Sequence, residues 1–115
     1  MTVSRSDSEG RREERLERTL SELARCFDDA EAIVSFGSRR FEEDWLVRRA
    51  AKNVVTEFAE SVARLPQGFK DERPEVPWRA IGAMRNLVEH HCAPADFEVI
   101  WNVLASDLPE LRRRL

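Results

Sequence analysis

Apolar residues recur at helical spacing along most of the chain. In the first third they alternate steps of four and three, the spacing of a helix seam of coiled-coil type. This pattern predicts a first helix from about Glu9 to about Phe36, with Gly37 as its stop signal. Ser38 is then expected to cap a short helical segment that carries Phe41. The seam positions are Leu16, Leu20, Leu23, Phe27, Ala30 and Val34.

A second apolar stripe predicts a long helix that Pro66 and Gly68 end. Residues 67–76 are expected to form a loop. Pro77 favours the first turn of the next helix, because its missing N–H has no helical partner there. The stripe of the long helix is Val47, Ala51, Val54, Phe58, Val62 and Leu65, and that of the next helix is Ile81, Met84, Leu87 and Val88.

The last helix is expected to begin near Pro94, with Asp96 at its positive N-terminus. Asp107, with Glu110 three residues later, indicates a capping box for a final turn. No stretch alternates apolar and polar residues long enough to predict a strand. The expected fold is therefore all-α, an antiparallel bundle of four or five helices. The inward-facing positions of the last helix are Phe97, Ile100, Trp101 and Leu104.

Composition agrees with a single charged domain. The 115 residues suffice for one domain, which we expect over residues 9–115 after a disordered tail of residues 1–8. Charged residues make up 36% of the chain and the mean hydropathy is -0.54. No window approaches the ~20 apolar residues of a membrane span, and the polar start lacks the apolar core of a secretory signal. Cys26 and Cys92 form neither a metal spacing nor a disulfide framework, so we expect a cytoplasmic protein.

The charge balance limits how the chain could bind nucleic acid. With 22 acidic and 19 basic residues the net charge is -3, whereas dedicated nucleic-acid binders are usually basic over a whole face. RNA contact would need a local basic rim, or a partner that supplies part of the footprint. Ordinary solvated surface explains each rim candidate at least as well. The candidates are Arg39, Arg40, Arg48, Arg49, Lys52, Arg112, Arg113 and Arg114.

The three tryptophans lie at or beside apolar stripes. Core packing therefore explains them better than stacking on bases does. They are Trp45, Trp78 and Trp101.

Candidate chemistry is concentrated at Arg85, Asn86 and His90. Arginine binds phosphate through a fixed charged fork, and histidine transfers protons near neutral pH. Together they suffice to cut RNA without a metal. Asn86 and His90 share a helix face, but Arg85 and His90 lie about 140° apart on a regular helix. They converge only if Arg85 reaches around, if the helix loosens near His90, or if a second subunit completes the pocket.

A structural explanation competes with this chemistry, and on spacing alone it is the stronger one. Arg85 could pair with Glu89 four residues later, and His90 could stabilise the last helical turn through the dipole. His91 lies on the apolar side of the helix, which leaves His90 as the chemical candidate. Because His90, His91 and Cys92 diverge on a helix and a fourth ligand is missing, a zinc site is not expected.

The run Pro74–Ile81, continued by Met84-Arg85-Asn86 and His90, resembles the HepT-like family of HEPN ribonucleases. The tail from Asp96 to Trp101, closing on Asp107–Leu111, resembles the same family. The resemblance covers most of the chain, and its specific part runs from residue 74 to 111. It implies an all-helical homodimer that acts on RNA.

The family motif is an Arg, a polar residue, three further positions and a His, which Arg85, Asn86 and His90 match place by place. The resemblance implies that Arg85 binds the scissile phosphate and stabilises its developing charge. It implies that His90 is the general acid–base during attack by the ribose 2′-hydroxyl, and that Asn86 orients one of the two. No metal or cofactor is implied. Members are toxins encoded beside a minimal nucleotidyltransferase antitoxin, which implies that partner.

One departure from the family concerns regulation. Many members have, two positions after the His, a Tyr that the antitoxin modifies with AMP. That position is Cys92 here, and the chain has no Tyr. Either the antitoxin acts by binding alone, or the protein has drifted from toxin duty. The alternatives to a nuclease are a non-catalytic helical subunit that binds a nucleotidyltransferase and a plain structural dimer.

Overall fold

The computed structural model describes the backbone of residues 5–90 and 96–115 and the side chains of residues 7–88 and 96–115. Within these ranges the chain is helical apart from short connections and contains no strand, which confirms the all-α prediction. None of the described helices combines the length and apolarity needed to cross a bilayer. The helices are α1 (Arg5–Ser35), α2 (Ser38–Glu43), α3 (Trp45–Ala63), α4 (Gln67–Asp71), α5 (Trp78–His90), α6 (Phe97–Asn102) and α7 (Leu108–Arg114), and a π-helical segment (Val103–Asp107) joins α6 to α7.

The two longest helices, α1 and α3, lie antiparallel. The rings of Phe27 and Phe58 pack with their centroids 5.3 Å apart. Near the other end of the contact, Arg64 Nη2 lies 2.7 Å from Glu22 Oε2. Glu22 precedes Phe27 in the chain, whereas its partner Arg64 follows Phe58. The two helices therefore run in opposite directions. The predicted seam of α1 is buried from Leu23 through Ala30, and Leu16, Leu20 and Val34 are partly buried against the same core.

The turn after α1 differs in detail from the expectation. Helix α1 begins at Arg5 and ends at Ser35, compared with the expected bounds near Glu9 and Phe36. Gly37 adopts a φ of 89°, which glycine tolerates without a Cβ clash. The cap assigned to Ser38 was wrong, because Ser38 is the first residue of α2 and Gly37 takes the cap position without a side-chain hydrogen bond.

Helix α3 is the centre of the bundle, and its predicted stripe is fully buried from Val47 to Leu65. It begins at Trp45 because Asp44 caps it: Asp44 Oδ1 accepts a hydrogen bond of 2.9 Å from the Leu46 N–H. The sequence reading overlooked this cap. Side chains of α1, α5 and the C-terminal helices complete the core around the stripe.

The segment expected to be a loop, residues 67–76, contains the short helix α4. The Trp78 indole N–H donates to the carbonyls of Lys70 and Arg73, each at 3.1 Å. These bonds fix α4 against the first turn of α5. Pro77 precedes α5, and its carbonyl accepts from the Ile81 N–H at 3.1 Å.

From Phe97 to Arg114 the chain is one continuous helical run. The expected capping box does not form, because Asp107 lies within this run and makes no capping hydrogen bond. Glu110 instead pairs with Arg113 at 2.6 Å and with Arg114 at 3.3 Å.

This C-terminal run fixes the direction of α5. At its start, the Arg48 guanidinium of α3 lies 4.5 Å from the centroid of the Phe97 ring. At its end, Arg114 Nη1 donates to the Glu75 carbonyl just before α5 at 3.4 Å. The run is about 25 Å long at 1.5 Å per residue, so α5 starts far from the N-terminus of α3. Because α5 packs along α3, the two helices are antiparallel, and the backbone of α5 runs towards the N-terminal half of α3 as it approaches His90.

We expect Asp44→Ala to lower the free energy of unfolding by about 0.5–2 kcal/mol, because the first N–H groups of α3 lose their acceptor. Chemical denaturation followed by circular dichroism measures this. Asp44→Asn is the matched control, since it keeps the capping oxygen and removes only the charge that faces Arg40 at 3.6 Å. An equal loss in both variants would show that the ion pair, and not the cap, stabilises the helix.

Candidate functional site

Arg85 lies on the outer side of α5 and reaches across to α3. Its Nη2 is 3.7 Å from Glu60 Oε1, and the two side chains are 55% and 41% exposed. An ion pair this accessible to water contributes at most about 1 kcal/mol. The contact therefore orients the guanidinium, while a phosphate arriving from solvent can displace the carboxylate at small cost.

Asn86 is exposed, and so are the residues one and two turns before it on the same face of α5, Arg79, Gly82 and Ala83. Apart from its chain neighbours and the nearby backbone of its own helix, a Cβ added at Gly82 would meet no atom within 4 Å. This face of α5 is thus open and nearly flat around Gly82, with polar groups at both ends.

His90 is the last residue of α5, and its imidazole lies outside the described side chains, as does the carboxylate of Glu89. His91 and Cys92, the other potential ligands named from the sequence, lie outside the described residues. The α-helix is regular from Trp78 through His90. The described backbone of α5 therefore shows no loosening between Arg85 and His90, and reach-around or a second subunit stay the two predicted routes by which their side chains could converge.

The structure sorts the rim candidates by what they contact. Arg39 Nε pairs with Glu43 at 3.1 Å. Arg40 Nε lies 3.6 Å from Asp44, and its guanidinium lies 5.0 Å from the Phe36 ring centroid. Both arginines are thereby tied to neighbours around α2.

Arg48 also has a local role, because it donates to the carbonyls of Phe41 and Glu42 at the end of α2. Arg49 is exposed and pairs with no carboxylate in the described part of the chain. Lys52, one turn further along α3, is half-buried. Of the rim candidates on α3, Arg49 presents its charge most directly to solvent.

The C-terminal arginines are engaged with carboxylates. Arg112 contacts Asp28 at 2.8 Å and Glu31 at 2.9 Å on α1. The hydrogen bond to Asp28 is the main cause of the raised pKa of Arg112. Arg113 and Arg114 share Glu110. The contacts of Arg112 attach the end of the chain to α1. Ion pairs within the protein therefore explain the three arginines, and RNA binding is not needed to explain them.

The tryptophans divide into two kinds. Trp78 and Trp101 are half-buried, and the Trp101 ring lies 5.5 Å from that of Phe41. Trp45 is 60% exposed, so the core-packing interpretation was wrong for it. Trp45 comes two residues before buried Val47 and so lies about 160° from it around the helix. This spacing can be read from the sequence alone.

Other reactive groups are few among the described residues. Burial raises the pKa of the Cys26 thiol to about 11, with smaller contributions from Glu57 and Asp29. The thiol is therefore protonated at neutral pH and is a poor nucleophile. Across residues 7–88 and 96–115, no three His, Cys, Asp or Glu side chains are grouped so that they could hold a metal ion.

Comparison with known proteins places the sequence of this chain in a family. A "Putative RNase" of Caldanaerobacter subterraneus subsp. tengcongensis is 27% identical over 93 residues, covering 81% of this chain and 83% of the relative. A "Probable ribonuclease HepT" of Thermococcus cleftensis is 29% identical over 86 residues, covering 71% and 78%. No solved structure matches significantly. The family described as ribonuclease HepT-like matches residues 23–115, and the chain belongs to that family.

Proposed function

We propose that the protein is a metal-independent endoribonuclease toxin whose cleavage depends on Arg85, Asn86 and His90. The observation that carries the proposal is the half-exposed Arg85 guanidinium, set five residues before the histidine that ends α5, in a chain of a ribonuclease family. Arginine in this position suits a phosphodiester, because its charge is fixed and its fork fits two phosphate oxygens.

In the proposed reaction the ribose 2′-hydroxyl attacks the adjacent phosphorus. His90 accepts the hydroxyl proton, and a protonated imidazole gives a proton to the departing 5′-oxygen. Arg85 stabilises the charge that develops on the phosphate oxygens. The P–O5′ bond breaks, and the products are a 2′,3′-cyclic phosphate and a 5′-hydroxyl. Asn86 orients one of the two reacting side chains.

A homodimer is part of the proposal. The face of α5 around Gly82 and Ala83 is exposed and has no bulky side chain, so another helix can approach it closely. A twofold axis near this face brings the Arg85 of one protomer towards the His90 of its partner. That arrangement removes the angular separation of the two residues on a single helix.

The proposed partner is a minimal nucleotidyltransferase antitoxin in the cytoplasm. Neutralisation by AMP transfer to Tyr is not available to a chain without Tyr. The antitoxin therefore acts by binding, and in doing so it covers the Arg85 face or blocks the approach of RNA.

The second candidate function is a non-catalytic helical subunit that binds the nucleotidyltransferase. The net charge of -3 and the absent Tyr favour it. Cleavage of RNA by the purified protein in EDTA, lost in His90→Ala, distinguishes the nuclease from this adaptor.

We expect Arg85→Ala to lower the rate of RNA cleavage about 10²–10³-fold, through loss of a charged donor to the phosphate. His90→Ala should lower it about 10²–10⁴-fold, through loss of proton transfer. The measurement is cleavage of a labelled RNA by purified protein in EDTA, together with growth arrest on expression. Arg113→Ala, which removes an exposed arginine on α7, is the control and should retain activity. Full activity in both active-site variants would exclude the proposed mechanism.

Glu60→Gln should tighten RNA binding, because the phosphate no longer competes with a carboxylate for Arg85. An exposed pair worth up to about 1 kcal/mol predicts a KM up to about fivefold lower, with kcat unchanged. Steady-state kinetics at low salt measure both parameters. A fall in kcat with constant KM would show instead that Glu60 holds Arg85 in its reactive position.

Gly82→Glu should abolish the dimer and RNA cleavage while the protomer stays folded. The new side chain meets no atom of the protomer within 4 Å of its Cβ, but it places bulk and charge on the proposed interface. Sedimentation and circular dichroism report assembly and folding. Gly10→Glu is the matched control, because Gly10 is also helical and also has open space around its Cβ. A dimer that survives in Gly82→Glu would show that this face is not the interface.

A further inference from the structure

The exposed aromatic residue at the start of α3 has no role in the core. Trp45 is 60% exposed at the N-terminal end of the helix, immediately after the capping residue Asp44. An exposed tryptophan forgoes the favourable free energy that burial of its apolar surface would contribute. Its neighbours on the helix indicate what covers it.

Trp45, Arg49 and Lys52 form one stripe on α3, which we call the Trp45 stripe. At about 100° per residue they lie within about 60° of one another, on the side away from buried Ala51 and Phe58. Arg49 makes no ion pair within the described ranges. The stripe therefore combines a flat aromatic ring with two cations about 6 and 10 Å further along the helix axis.

A shallow groove runs beside the Trp45 stripe. All three members of the stripe line it, and its floor is formed by Phe41, Phe97 and Ile100. Arg48, the other cation at the groove, stacks over Phe97 and holds the end of α2, so it shapes the wall. The groove is thus an aromatic and basic channel on a chain that is acidic as a whole.

The same side of α3 leads to the candidate active site. Glu60 lies about 20° beyond Arg49 around the helix and about 22 Å from Trp45 along the axis, and it is the residue that contacts Arg85. Helix α5 runs back from there, which carries the Cα of His90 about 7.5 Å nearer the Trp45 end.

The geometry points to the Trp45 stripe as a subsite for single-stranded RNA, in which the indole stacks on an unpaired base and Arg49 and Lys52 bind adjacent phosphates. Aromatic stacking beside a basic track is how proteins hold single strands without reading their sequence. The subsite rests on the proposed nuclease function and extends it: the enzyme takes unpaired RNA, and the strand is led along α3 to Arg85.

Charge complementarity favours RNA over a second copy of the chain at this surface. Lysine is depleted from the cores of protein interfaces. A twofold contact through the stripe would also bring the cations of both copies together. A polyanion neutralises them and covers the ring at the same time.

The test is binding of a 2′-O-methyl oligoribonucleotide, which has no 2′-hydroxyl for attack, so that affinity is measured without cleavage. Trp45→Ala should weaken binding about 5- to 100-fold, and Trp45→Phe should restore most of it because a ring remains. Leu46→Ala is the matched control, since Leu46 is equally exposed at 60% but points elsewhere on the helix. Its affinity should be that of the wild type.

The paired change Arg49→Ala with Lys52→Ala should reduce the slope of log affinity against log salt by about 1.4, at about 0.7 per phosphate contact on a single strand. Arg113→Ala with Arg114→Ala removes the same charge on α7 and should leave the slope nearly unchanged. Circular dichroism confirms that each variant is folded.

The outcomes separate the subsite from the nuclease proposal. Unchanged affinity in Trp45→Ala, with RNA cleavage that still depends on His90, would overturn the subsite and leave the nuclease in place. Affinity that depends on Trp45 in a protein that never cleaves RNA would support the subsite and overturn the nuclease. A Trp45→Ala variant that changes only the oligomeric state, or only binding of the nucleotidyltransferase, would show a protein interface and overturn the RNA assignment.

Discussion

Burial of the α3 stripe is the interaction on which the remaining structure depends. Ala51, Val55 and Phe58 are completely inaccessible to solvent. Each fully buried side chain of the larger kind contributes about 1.5–3 kcal/mol of transfer free energy. Because one side of α3 is committed to the core, α1 and α5 must pack along it, and the opposite side must face solvent. That packing sets α5 against α3, and the contacts of the C-terminal run at Phe97 and Arg114 set its direction.

The sequence predicts the long helices because apolar residues repeat about every 3.6 positions along them, whatever the details of tertiary packing. The stripes of α3 and of the second half of α1 are buried as predicted, and the fold class is confirmed. The ends of the helices were less predictable. Asp44 was overlooked because α2 and α3 are separated by that single residue, which leaves no visible loop to mark a cap. Helix α4 was overlooked because its five residues are held by the Trp78 indole, a contact made from outside the segment.

The residues of the candidate site are a prediction from the sequence, whereas their surroundings come from the structure. Spacing and family resemblance single out Arg85, Asn86 and His90, whereas the contact of Arg85 with Glu60 joins residues 25 positions apart on different helices. Periodicity carries no information about such a pair. Trp45 is a different case: its spacing from Val47 already placed it away from the buried stripe, and the expectation of core packing overlooked that periodicity.

The net acidity of the chain and its proposed substrate are compatible once charge is considered by location. Many of the arginines are neutralised by nearby carboxylates, as Arg112 is by Asp28 and Glu31, so they add nothing to a field felt by RNA. Screening restricts exposed charges to a range of about 8–10 Å at physiological salt. What matters to a phosphodiester is therefore the charge close to it, and Arg49 is an exposed cation on α3 with no ion pair in the described ranges. A few cations on one side of α3 can bind a short single strand even though the chain as a whole carries a net charge of -3.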